Sequence, residues 1–441
     1  MTTVKRLPKD PGPAAWNALL PPAPPAYRLE SDITADWLVI GAGWAGLAAT
    51  CRLMQLRANE RIVLLEASRV GEGPAGRNSG FMIDLPHDLA SDSYDGAAES
   101  DRQQIRMNRA AINFSAEAAE ELGMPAEAFS RSGKVNGAAS GKGARHLDDY
   151  ANHLEGLNET YEVLDDKAMQ ALTGTTYYRQ GLFTPGAAMV QPAMFIRTAA
   201  AACADLFELS PVTALERVGQ DWRADTPKGS VTTPRVILAV NGHAESFGFF
   251  ERRLMHVFTY ASMTRELTAE EVKRLGGEPR WGILPADPMG TTVRRISGTG
   301  GDRVVIRNRF SYDPSLTVSD HRLETMAQSH ERSFAARFPM LSGVEMDYRW
   351  GGRLCLSRNG VPAFGEVAEN VFSACCQNGL GTTKGTLAGM LAAELAADTN
   401  NPMIAEMLAF EPPSRLPPEP LAWLGANATL RWKERRAGTE L

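Results

Sequence analysis

Gly41, Gly43 and Gly46 stand in the spacing Gly-x-Gly-x-x-Gly, and an acid, Glu66, follows twenty residues after the last of them. These residue types at this spacing suit a pyrophosphate and a ribose. Gly41 permits a tight turn, Gly43 lets the backbone approach the phosphates, and Gly46 allows a helix to pack closely on a strand. The helix that follows would aim unpaired N–H groups and a positive dipole end at the phosphates. Glu66 would accept hydrogen bonds from ribose hydroxyls, and its charge would repel a 2′-phosphate. Glycine turns are common, so the flanking elements carry the argument. Asp36-Trp37-Leu38-Val39-Ile40 reads as a buried parallel strand, Leu47 to Leu56 has helical apolar spacing, and Ile62 to Leu65 is a second apolar strand ending at Glu66. The series predicts a dinucleotide site; a βαβ unit without a ligand is the alternative.

Two further segments belong with it. Val70 to Gly80 holds four glycines in eleven residues together with Arg77, Asn78 and Ser79, which excludes a helix or regular strand and predicts an irregular loop. Far downstream, Val371 to Cys376 reads as a strand, Gln377-Asn378-Gly379-Leu380-Gly381 as a turn, and Thr386 to Ala397 as a helix. That second helix N-terminus suits the electron-rich pyrimidine side of a reduced flavin, where negative charge accumulates.

The series GAGWAG, LLEA and GEGPAGRNSG resembles the D-amino-acid-oxidase-like flavoproteins, which include the sarcosine and glycine oxidases. Trp350-Gly351-Gly352-Arg353, Asn359 to Gly365 and Asn370-Val371-Phe372 look most like the gamma-glutamylputrescine oxidase branch, whose members oxidise amines. The resemblance covers Asp36 to Asp398. It implies FAD, held without a covalent bond by Gly41, Ala42, Gly43, Ala45, Gly46, Glu66, Ala67, Gly76, Arg77, Asn78 and Ser79, with Val212, Asn241, Gly242, Gly379, Leu380, Gly381 and Thr382. Such families have Ala-Ser-Gly before Arg-Asn; here Pro74-Ala75-Gly76 lacks the hydroxyl. Some relatives attach the flavin through a Cys near the position of Cys355, which could equally be a small core residue.

The resemblance implies a hydride passing from an amine to flavin N5, giving an imine that water hydrolyses to an aldehyde or keto acid. Such chemistry asks for orientation and desolvation more than for a catalytic triad. Arg353 lies where amino-acid-oxidising relatives place a carboxylate-binding Arg; a surface or inter-domain salt bridge is the other reading. Arg307 and Arg309 alternate on the predicted strand Arg303 to Tyr312 and would share one face. Turned inward they would hold a carboxylate or phosphonate; turned outward they would be solvated. His87, His256 and Tyr260 are candidates for the amine side, or core and rim residues. No Lys matches the one that helps oxygen react in sarcosine oxidases, and Arg307 is the nearest candidate, so oxygen and another electron acceptor both stay open.

These residues need an α/β fold: a discontinuous Rossmann-like FAD domain (35–90, 190–248 and 355–400) and an α+β substrate domain with a mainly antiparallel sheet (91–189 and 249–354). A Pro-rich arm (1–34) precedes them, ordered or loose, and a tail (401–441) follows, more a surface or oligomer contact than a nucleic-acid arm. The 441 residues suit two domains. Lys plus Arg number 46 against 52 Asp plus Glu, which argues against a nucleic-acid surface. Five Cys without ligand spacing argue against a disulfide framework or zinc site, and for a cytoplasmic setting. No apolar run spans a membrane. The reading is an FAD-dependent oxidoreductase of a small amine. The alternatives are a dehydrogenase of a hydroxy acid or polyol phosphate, or the flavin subunit of a tRNA-modifying or multi-subunit enzyme.

Overall fold

The computed structural model describes residues 2–4, 6–7, 9–86 and 98–441. A six-stranded sheet lies at its centre, in the order Asp205–Phe207, Ile62–Leu65, Trp37–Ile40, Val236–Leu238, Val371–Cys375 and Ala363–Ala368. The first five strands run parallel and the last is antiparallel. Short uninterrupted apolar runs form it because both faces are covered. Trp37–Ile40 is buried at all four positions. On one face lie the helices Trp44–Leu56, Pro192–Ala201 and Gly381–Ala396, joined to the sheet through Leu47, Leu53, Phe195, Ile196 and Ala392. The other face packs on a five-stranded sheet through Leu38, Val63, Leu215 and Val231.

An eight-stranded sheet makes the second layer system, in the order Met346–Leu356, Met255–Thr264, Arg303–Tyr312, Thr292–Ile296, Trp281–Pro285, Lys134–Ala138, Gln180–Thr184 and Glu162–Leu164. Every neighbouring pair is antiparallel except Trp281–Pro285 with Lys134–Ala138. The two large sheets draw on interleaved stretches of chain, so the cavity between them is lined by residues far apart in sequence.

Two helices begin earlier than their apolar spacing predicts. The helix Trp44–Leu56 begins at the glycine loop itself, and Gly381–Ala396 begins five residues before Thr386, because Gly-Thr-Thr follows Leu380 directly into helical geometry. The charged helix Ala98–Glu121 packs one side on the cofactor-domain helices, with Met107, Ala111 and Phe114 against Ala48, Leu387 and Leu391. The C-terminal tail docks back on its own chain. Its helix Leu421–Ala437 covers the eight-stranded sheet, and the buried Glu440 carboxylate accepts from Ala139 N, Ser140 N and Ser140 Oγ at the start of the helix Gly141–Leu157. Among the described residues no helix is long and apolar enough to cross a membrane.

Candidate active site

The cofactor wall is built from backbone. After the strand Trp37–Ile40 the chain turns at Gly41, with φ +102°, and Gly43 opens the helix Trp44–Leu56. A Cβ on Gly46 would lie 1.7 Å from the Gly41 carbonyl oxygen, so only glycine lets the helix sit this close to the turn. Glu66 ends the neighbouring strand, and its carboxylate accepts from Ala42 N and Ser68 N, both at 2.9 Å, with Glu66 lining the cavity. The loop at Pro74–Gly76 is held through the Ala75 carbonyl, which accepts from the Trp44 indole (3.1 Å) and the Asn78 amide (2.7 Å). Side-chain donors from Trp44 and Asn78 thus hold the loop at the residue where the related pattern has a hydroxyl. Arg77, buried, donates to the carbonyls of Pro11, Gly12 and Gly351, and buried Arg294 to those of Ser79 and Val190. Burial lowers the affinity of both guanidiniums for their protons, to about 10 for Arg294.

The cavity enclosed here measures about 410 Å³. Gly41, Ala42, Gly43, Ala45, Glu66, Ala67, Arg77, Asn78, Ser79, Val212, Asn241, Gly242, Gly379 and Gly381 line it. Gly46, Gly76, Leu380 and Thr382 stand behind its surface. Leu380 packs on Phe81 and Leu284, and the Thr382 hydroxyl donates to the Phe81 carbonyl. Several polar atoms of the lining are buried and lack a hydrogen-bond partner among the described residues: both ring nitrogens of His243, Gln377 Oε1 and Thr259 Oγ1. A cradle shaped by glycine with orphaned polar atoms on its wall suits a large polar ligand. Among the described residues no cluster of His, Cys, Asp and Glu could hold a metal.

Across the cavity, the eight-stranded sheet presents Thr259, Tyr260, Ala261, Arg307, Trp350 and Arg353. Arg307 sits opposite Ala261 on the adjacent strand and shares its face. Its guanidinium stacks 4.7 Å from the Phe310 ring and has neither an ion pair nor a hydrogen bond among the described residues. Burial alone pushes its pKa down to about 10.

Arg309 does not share that face. The pairing slips between Thr259 and Tyr260, so Arg309 is the extra residue of a bulge, at φ +66°. Its side chain turns away to Glu434 Oε2 (2.8 Å) and Ser329 Oγ (2.9 Å), under the C-terminal helix. Arg353 lines the cavity, yet its Nε and Nη2 donate to the two carboxylate oxygens of Asp10, at 2.8 and 2.9 Å. His256 lines the cavity with Nε2 at 2.9 Å from Glu245 Oε2. The Tyr260 hydroxyl is 2.6 Å from Ser311 Oγ, and burial raises its pKa to about 12. Cys355 is buried beside Cys376, and burial raises its thiol pKa well above the ordinary value. His87 lies outside the described residues.

Sequence reasoning passed over His243, Thr259, Gln377 and Asp10. His243 adjoins Asn241-Gly242, which was a usable signal; its pKa falls to about 4 through burial, then through Arg353 and His256. Asp10 carried no signal, because its partner stands 343 residues away.

Residues 36–395 match the FAD dependent oxidoreductase family. The chain belongs to that family. It is an FAD-dependent oxidoreductase, and the glycine cradle, Glu66 and the loop Ala75–Ser79 are the residues that would hold the cofactor. Among similar proteins, the probable oxidoreductase OrdL of Rhizobium meliloti (strain 1021) is 26% identical over 411 residues, covering 88% of this chain and 89% of that one. The gamma-glutamylputrescine oxidoreductase of Escherichia coli (strain K12) is 26% identical over 394 residues, 84% of this chain and 85% of that one. Glycine oxidase from Geobacillus kaustophilus shares the fold, with a TM-score of 0.68 at 18% identity over 87% of this chain and all of the other.

Proposed function

We propose that the enzyme oxidises the carbon–nitrogen bond of a small amine or amino acid carrying an anionic group. Arg307 is the observation that carries this reading. Of the three arginines considered for substrate, Arg309 and Arg353 have carboxylate partners, while Arg307 reaches the cavity without one among the described residues. A planar guanidinium fork left unpaired in a largely apolar wall suits a bidentate carboxylate. Two similar proteins carry names of the same kind, one for gamma-glutamylputrescine and one for glycine.

Bound FAD supplies a two-electron acceptor. The chain's own contribution is placement and desolvation. Arg307 would anchor the anion and so fix the direction of the amine-bearing carbon. Trp350, Ala261 and Leu316 exclude water, which favours the uncharged amine. Tyr260 and His256, whose polar atoms are engaged by Ser311 and Glu245, would shape the wall beside it. Oxygen or another acceptor would then take the electrons.

The test is anaerobic flavin bleaching by an anionic amine and by its neutral amide, in wild type and Arg307→Met. Loss of a buried charged contact of about 3 kcal/mol weakens the anionic amine roughly 100-fold and leaves the amide unchanged. Equal losses on both ligands, or none, overturn the anion assignment. Bleaching without release of ammonia or an amine favours the hydroxy-acid alternative.

A further inference from the structure

The family match begins at residue 36, yet Asp10, on the arm before it, lines the cofactor cavity. Between Asp10 and Ala18 the arm is fastened at both ends and along its middle. Asp10 grips Arg353 with both carboxylate oxygens, and their side chains are 7% and 15% exposed. Pro11 O accepts from Gly351 N on the edge strand of the eight-stranded sheet and from Arg77 of the cofactor loop. Gly12, at φ +72°, lies so close to that strand that a Cβ would fall 2.2 Å from the Arg349 carbonyl. The helical turn Ala15–Ala18 then buries Trp16 completely. Its indole donates to the Asn78 carbonyl at 2.8 Å, and its own carbonyl accepts from Gln191.

Every one of these contacts ends on the cofactor loop, on the strand that faces it, or on the helix behind it. We infer that Asp10–Ala18 is a part of the FAD-binding site: a strap across the mouth of the cavity, with Asp10 as the positioning residue that locks it to Arg353. Cofactor then enters and leaves through states in which the strap has detached. Local opening of this kind costs only the contacts of the detached segment, and the Asp10–Arg353 pair is its one ion pair among the described residues. Removing a carboxylate from a shielded pair leaves an uncompensated cation, so the closed strap loses most from this single change. The inference rests on the family's cofactor and is independent of the substrate reading.

The experiment measures exchange of bound FAD against an excess of 5-deaza-FAD in the full-length holoprotein. Wild type, Asp10→Ala and the charge swap Asp10→Arg with Arg353→Asp are compared, with thermal unfolding of each apoprotein recorded alongside. Asp10→Ala is expected to exchange at least about tenfold faster. Formate at high concentration, which can refill the carboxylate position, is expected to slow it again, and the charge swap to bring it back towards wild type. Exchange within twofold of wild type overturns the inference. So does faster exchange that neither formate nor the swap reverses, and so does flavin that stays on the polypeptide after acid denaturation. None of these outcomes bears on whether Arg307 binds an anion.

Discussion

The two walls of the cavity handle positive charge in opposite ways. On the cofactor side, Arg77 is buried and spends donors on backbone carbonyls, and Arg294 reaches across from the eight-stranded sheet to do the same, so their work is to hold a loop in shape. On the eight-stranded sheet, Arg309 is neutralised by a fully buried Glu434, while Arg307, two residues earlier, faces the cavity with no hydrogen-bond acceptor among the described residues. The same side chain thus serves as a staple, as half of an ion pair and as a free fork. What separates the three is the supply of acceptors around each one. A guanidinium without acceptors in a dry wall is costly, and such a group is kept where a ligand completes it.

The sharpest way to break this comparison is at the cofactor wall. Gly46→Ala puts a methyl group against the Gly41 carbonyl and forces helix from turn. Overpacking of about 3 kcal/mol weakens FAD binding roughly 100-fold, read as flavin absorbance per protein after gel filtration. Wild-type occupancy would show that the cradle tolerates a shift.

Next in size is the contrast within one strand. Arg309→Met strips a partner from Glu434 and is expected to cost about 2 kcal/mol in chemical denaturation, Arg431 still pairing with that carboxylate. Arg307→Met removes an unpaired, desolvated cation and is expected to leave stability unchanged or higher. If the two variants are equally destabilised, Arg307 has a partner that its surroundings do not reveal.

A pH effect sharpens the comparison from behind the same sheet. His330 is buried between Ser262 Oγ (2.8 Å) and the Asn308 carbonyl (3.3 Å), and burial lowers its pKa from 6.5 to about 4. His243, on the cavity side, is lowered equally. Between these values the unfolded chain binds more protons than the folded one, so stability is intact above pH 6.5 and falls as pH drops towards 4. His330→Gln should flatten the difference in melting temperature between pH 7 and pH 5; an unchanged slope would exclude His330 as its source.

The smallest expected effect is at Cys355. A buried thiol with a strongly raised pKa is a poor nucleophile, so Cys355→Ala should leave acid-extractable flavin unchanged. Colour that stays in the wild-type pellet and is lost in the variant would reverse this.

What could be read from the chain alone was everything whose parts are close together in it. Strand, glycine turn, helix and acid lie within residues 36–66, and period, turn chemistry and spacing act over that range. The strands bearing His256, Tyr260 and Arg307 were legible as strands for the same reason, whereas the Gly-Gly pair before Arg353 hid the strand Met346–Leu356. Which way their side chains look was decided elsewhere. One slipped residue opposite Thr259 sends Arg309 to the back of the sheet, because side-chain direction alternates and a bulge resets the count. Arg353 is claimed by a carboxylate on the Pro-rich arm, and Glu434, on the tail, claims Arg309. Spacing along a chain determines a turn and a helix end; the choice of partner for a charge is made by whatever surface folding brings within 3 Å of it, and that surface can come from either terminus.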